Sequence, residues 1–235
     1  MSASMSPSPE LVGSPLRFIP AAAPGLCLDY ANTLCWRGLP TPTETLRGCQ
    51  DLMRWCTGAG VALDPAFGPW SVAQAAAAAL VFAEAIAMRE MLYRVLSALA
   101  VGARIPRADV RALNEALARA PPRGVIAERG TTYVWRVEQR TPRYSAPGLL
   151  TPVLWSAADL IVGQGRPRVR QCANEACRWL FLDASRSGSR RWCDMRSCGN
   201  RAKAHRHYQK HRAREPAAQP GRGKRTVRRS FSHSK

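Results

Sequence analysis

No stretch of this chain is apolar for long enough to cross a bilayer. The longest uninterrupted run, Ala75 to Ala83, covers nine residues, against about 20 for a helical span, so no membrane segment is expected. No cleavable leader is expected either: the first residues are rich in Ser and Pro and lack a basic start followed by an apolar core. Negative charge is scarcest where positive charge is densest. Residues 166–235 hold 20 Lys and Arg against four Asp and Glu, and so carry +16 of the whole chain's +19. A block of one sign repels itself, which implies an anionic partner. What is present is otherwise ordinary: 46% hydrophobic and 22% charged residues in 235, enough for one good-sized domain and a small module. A soluble, cytoplasmic protein is expected. In that compartment paired cysteines read first as metal ligands.

Residues 1–15 (MSASMSPSPELVGSP) read as a flexible leader. Within 16–36, GLCLDYANTLCWR reads as a strand and then a turn. Leu46, Cys49, Met53 and Cys56 recur at helical spacing and predict a helix over 43–57, ended by Gly58 and Gly60. The strongest helix covers 72–101. Ser71 and Gln74 offer a capping box, and Met88, Met91, Leu92, Val95, Leu96 and Leu99 form one apolar stripe. A helix at 107–119 is expected to turn Val110, Leu113 and Leu117 inward. Residues 124–138 change period and predict a β-hairpin turning at Arg129-Gly130. A last helix, 148–162, shows Leu150, Val153, Leu154, Ala157, Ala158 and Ile161 on one face. Gly163 and Gly165 mark a boundary. The fold class is therefore α+β: a mainly helical domain with a small hairpin or sheet over 16–163, then a small metal module over 166–213 and a disordered basic tail over 214–235.

The module opens with Cys172-x4-Cys177 and, after fifteen residues, Cys193-x4-Cys198. Zinc takes four tetrahedral ligands and thiolates suit it, so two short chelating pairs fit one ion, in a treble-clef-like or ribbon-like finger. Four free thiols or two disulfides is the other reading of these residues. The intervening chain predicts a hairpin, out along Arg178–Asp183 and back along Arg190–Trp192, with Trp179, Phe181 and Trp192 packed around the metal. With all four positions taken by cysteine the zinc is structural, and no enzyme is expected. Cys27, Cys35, Cys49 and Cys56 lack such spacing and read as small core hydrophobes. His205, His207 and His211 read as surface residues of a helix rather than a second metal site.

That helix, at 199–213, has no apolar stripe. Arg201, Lys203, Arg206, Lys210 and Arg212 along it, with Arg190 and Arg191 before it, are candidates for nucleic-acid contact, because cations on such a helix can replace the counterions of a phosphate backbone.

The segment WLFLDASRSGSRRWCDMRSCGNRAKAHR closely resembles the CGNR zinc finger, named for Cys198-Gly199-Asn200-Arg201. That family joins the finger to an N-terminal domain called ABATE, described as a stress-induced transcription regulator. LCLDYANTL, with Leu28, Asp29, Asn32 and Thr33, is similar to that domain's opening motif, and LMRWCTGAGV and SAADLIVG match its pattern. The resemblance spans about residues 15–213; the tail extends past it. It implies zinc on the four cysteines and DNA binding by the finger, hence a bacterial, nucleoid-associated transcription regulator whose N-terminal domain senses a ligand or dimerises. Asp29 and Asn32 are the expected ligand contacts, with a plain turn or N-cap role as the other reading. An RNA-binding protein and a protein-interaction adaptor are the alternatives.

Overall fold

The computed structural model describes residues 16–19, 21–61, 74–138, 145–163 and 168–212. The leader 1–15, Ser71 of the capping box and the tail 214–235 lie outside them. At the centre is α3 (Ala75–Ala100). Its Val81, Ala85, Met88, Leu92, Val95 and Leu96 recur at three- and four-residue intervals and are all buried, which is why so long a segment holds one face inward. Against it pack α1 (Leu26–Ala31), α2 (Cys49–Gly58), α4 (Arg107–Arg119) and α5 (Ala146–Leu149), while α6 (Thr151–Val162) closes against α1 and α4. Leu149, Leu150, Val153 and Leu154 are fully buried, each stabilising the fold by about 1.5–3 kcal/mol.

A three-stranded antiparallel sheet covers one end, in the order β1 (Leu16–Ile19), β5 (Thr132–Glu138), β4 (Val125–Arg129). The β4–β5 hairpin turns where expected, with Gly130 at φ 61°. Ile19, Val137 and Trp155 form a small separate core under it. A two-stranded ladder joins β2 (Leu34–Cys35) to β3 (Thr43–Glu44).

Three expectations are corrected. The LCLDYA segment is helix α1, not a strand: five of its six residues are buried, and a segment buried nearly all round has no period to read. Residues 43–44 are a strand, and α2 begins only at Cys49. Val110 is 39% exposed, and Asp109 is buried in its place because Arg94 grips it through Nε and Nη2 at 2.6–3.2 Å.

One polar cluster ties α3 to the loop after α1. Arg89, almost wholly buried, donates to both oxygens of Glu44 at 2.7 and 2.8 Å and to Glu90 at 2.9 Å. Arg37 donates to both oxygens of Glu90 and lies over the Tyr93 ring. Burial favours the neutral form of Glu90, but Arg37 and Arg89 outweigh it and hold the carboxyl below its ordinary range. Its contribution is therefore complete above an ordinary carboxyl pKa of about 4.3 and is lost as pH falls through the lower folded value. Arg89→Met should cost about 2–4 kcal/mol at pH 7, since it leaves Glu44 without its cation and Glu90 with Arg37 alone. Urea midpoints from pH 7 to pH 3 check this, and the difference from wild type should shrink toward pH 3.

Candidate metal centre and basic surface

The first cysteine pair lies in the turn between β6 (Arg168–Gln171) and β7 (Leu180–Asp183), paired from Arg168↔Asp183 to Gln171↔Leu180. The expected pairing of 178–183 with 190–192 is thus replaced. The cause is local: the Cys172 amide donates to the Trp179 carbonyl at 2.8 Å, and the Cys177 and Arg178 amides donate to the Asn174 carbonyl. This knuckle sends the chain back beside β6. Residues 184–192 become a loop gathered by Asp183, a buried carboxylate that accepts from the Ser185 amide and hydroxyl and from the Arg190 amide. Those hydrogen bonds, the Ser185 hydroxyl first, hold it below the usual carboxylate range.

The second pair sits at a helix start. Cys193 precedes, and Cys198 lies within, a π-helical turn at Met195–Gly199. Asp194 caps this turn by accepting from the Arg196 and Ser197 amides at 3.2 and 2.9 Å. Helix α7 (Asn200–Arg212) follows. One pair on a hairpin turn and one at a helix start make the finger treble-clef-like rather than ribbon-like.

A tetrahedral zinc with Zn–S bonds of about 2.3 Å places its sulfurs about 3.8 Å apart. The Cys177–Cys193 and Cys193–Cys198 sulfurs are each 3.8 Å apart, and all four lie within 4.8 Å of one another. A disulfide needs about 2.05 Å, and none joins any of the eight cysteines. Burial pushes the Cys177 thiol up to about 12 and raises Cys193 as well. Burial opposes ionisation of Cys198 too, yet the Asn174 amide, 3.5 Å from its sulfur, and the neighbouring thiols leave it lowered. The donor set fits one structural zinc, with no position open to a substrate. Trp179, Phe181 and Trp192 pack around it as expected, together with Trp36 from the helical domain. Cys27 and Cys56 are buried within the main core, and burial pushes the Cys27 thiol up to about 11.

The finger is built into the helical domain. Val169 and Leu180 belong to the same apolar core as Leu92 and Leu96. Tyr93 donates its hydroxyl to the Arg178 carbonyl at 2.9 Å and accepts from Gln171 at 3.0 Å. The Gly38 amide donates to the Ala176 carbonyl, and a Cβ at Gly38 would lie 1.7 Å from the Glu175 carbonyl oxygen, so only glycine allows this approach. Next to it Trp36 adopts a left-handed backbone, φ 55°, a conformation costing a bulky residue about 1–3 kcal/mol and held only by its surroundings. Those surroundings include Arg201, whose guanidinium lies over the Trp36 ring at 4.5 Å. Trp36, Gly38 and Tyr93 carry no spacing signal, and sequence reasoning missed them.

Asn32 is corrected as a ligand contact. It is 2% exposed, its Nδ2 donates to the Leu180 carbonyl at 2.8 Å, and its Oδ1 accepts from the Leu180 amide at 3.0 Å. The amide that could have met a ligand instead replaces a missing β-partner at the seam. Asp29 is exposed in the first turn of α1.

The basic candidates divide. Arg190 and Arg191 line a cleft beside the end of α3, with Arg170 and Arg178. Arg201 lines a different cleft of about 600 Å³ with Trp36, Trp192 and His205. Lys203, His205 and His207 are exposed on α7, and Tyr208 is 61% exposed. The side chains of Arg206, Lys210 and Arg212 lie outside the described residues, although their backbone continues the helix.

Among the described residues no helix is long and apolar enough to cross a membrane. The family model named ABATE, described as "Putative stress-induced transcription regulator", matches residues 25–164. That of the CGNR zinc finger matches residues 168–211. No curated protein matches the chain.

Proposed function

From the premise that the chain belongs to the ABATE family and carries a CGNR zinc finger, we propose that it is a zinc-dependent, DNA-binding transcription regulator of a stress response. The finger holds the nucleic acid, and the helical domain senses a ligand or dimerises. It acts at the nucleoid in the cytoplasm.

The observation that carries this reading is α7. A helix that served only packing would bury a stripe; α7 leaves Arg201, Lys203, His205, His207 and Tyr208 exposed. Neither Arg201 nor Lys203 has a carboxylate partner among the described residues. Arg206, Lys210 and Arg212 follow on the same helix, Arg190 and Arg191 precede it, and the basic tail adds affinity. Released counterions supply the driving force. Asp29 is the position to test for ligand contact.

Replacing Lys203, Arg206 and Lys210 together by Ala is expected to weaken duplex binding and to reduce the slope of log K against log salt by about 1 per lost phosphate contact. Fluorescence anisotropy over 50–200 mM salt measures it; an unchanged slope removes α7 from the interface. Competition between duplex DNA and structured RNA at one salt concentration separates the DNA from the RNA reading. Absence of any binding near physiological salt would favour an adaptor for an acidic protein.

A further inference from the structure

Where the end of α3 meets the finger, a cleft of about 510 Å³ opens. Ala100 and Val101 line it together with Arg170, Arg178, Arg190 and Arg191 and with Cys172 of the zinc knuckle. In the helical domain several arginines meet a carboxylate: Arg37 with Glu90, Arg89 with Glu44, Arg94 with Asp109, Arg123 with Asp159. Here the matching fails. Arg170 alone reaches a carboxylate, with its Nε 4.0 Å from Asp183, and that buried nitrogen has no hydrogen bond. The remaining hydrogen bonds go to neutral carbonyls, Arg170 to Gly188, Arg178 to Glu175, Arg190 to Trp192 and Cys193, and Arg190 also lies over the Phe181 ring at 4.7 Å. Among the described residues the Arg191 guanidinium has a ring contact alone, 5.3 Å from the Trp192 centroid. Glu175 is the one carboxylate-bearing residue in the lining.

Four guanidiniums around one cleft repel one another, and a partly enclosed site screens that repulsion less than open water does. Folding brings them together nonetheless. Arg178 is held at φ 53°, a left-handed backbone that arginine seldom adopts, and Tyr93 fixes its carbonyl. Guanidiniums in this number suit an oxyanion that accepts several paired hydrogen bonds, and phosphate is the common one.

We propose that this cleft is a phosphate-binding site, taking either a small phosphorylated ligand or a backbone phosphate of nucleic acid. In the first case it is a ligand site touching α3 and the zinc knuckle at once.

The test is calorimetric titration of the zinc-loaded full chain with pyrophosphate at constant ionic strength, against a chloride control. Wild type should bind saturably. Arg178→Gln/Arg191→Gln should bind at least about tenfold more weakly, with zinc content and helical circular dichroism unchanged. The two single variants are measured alongside, and each should lose part of the affinity even if the pair disturbs the knuckle. Binding no better than the chloride control, or equal binding by all three variants, overturns the proposal. A second arm adds labelled duplex. Its displacement by pyrophosphate assigns the site to backbone phosphate, and joint occupancy assigns it to a small ligand; either supports a phosphate site. The first arm contains no nucleic acid, so its outcome is separate from that of the DNA-binding reading.

Discussion

Stripping the zinc, by a chelator or by Cys193→Ser, is expected to unfold the finger and also to lower the melting temperature of the helical domain by about 10–20 °C. The first part follows from the metal centre. Four thiols, three tryptophans and Phe181 form the small core there, which is too little to stand without the ion, and zinc contributes on the order of 10–16 kcal/mol to folding in finger modules. The second part follows from the seam. Val169 and Leu180 sit in the main core, each worth about 1.5–3 kcal/mol on burial. The Gly38 and Tyr93 hydrogen bonds to the knuckle go with them. In a protein of this size each kcal/mol moves the midpoint by about 2–4 °C. Two-module organisation alone predicts a helical domain that melts as before. Circular dichroism at 222 nm, with and without chelator, decides: an unchanged helical transition in the zinc-free chain would falsify the shared core.

Asn32→Ala is expected to destabilise the zinc-loaded chain by about 2–4 kcal/mol. The variant leaves the amide and carbonyl of Leu180 unpaired at a position 1% exposed, and a buried group left without a partner costs about 1–3 kcal/mol. Asn32→Asp should cost at least as much, because it keeps the acceptor for the Leu180 amide but turns an oxygen toward the Leu180 carbonyl and brings a charge into the core. Urea denaturation without any added ligand measures both. Wild-type stability in the Asn32→Ala variant would return this residue to the ligand-contact reading.

Much of this chain is legible one segment at a time. The α3 stripe, α4 over 107–119, the hairpin turning at Gly130 and the cysteine spacing each depend on residues close in sequence, where period and chelate geometry act. Reading failed first where local signals were short: α1 has six residues and two-residue strands have no period. It failed again in the finger, where the gap between the cysteine pairs suggested a return strand at 190–192 but the Asn174-centred knuckle and the Asp183 carboxylate direct the chain elsewhere.

What the sequence by itself determined is therefore the zinc ligand set, most of the helices, and the concentration of cations in residues 166–235. What only the tertiary structure decided is how the two halves are joined. Asn32 meets Leu180 across 148 positions, Tyr93 meets Arg178 across 85, and four arginines from both sides of the knuckle face one cleft. A hydrogen bond or a charge cluster of that kind has no period and no spacing. It exists only once the hydrophobic burial of α3 and β7 has brought distant residues within 3 Å, so a single sequence carries no trace of it.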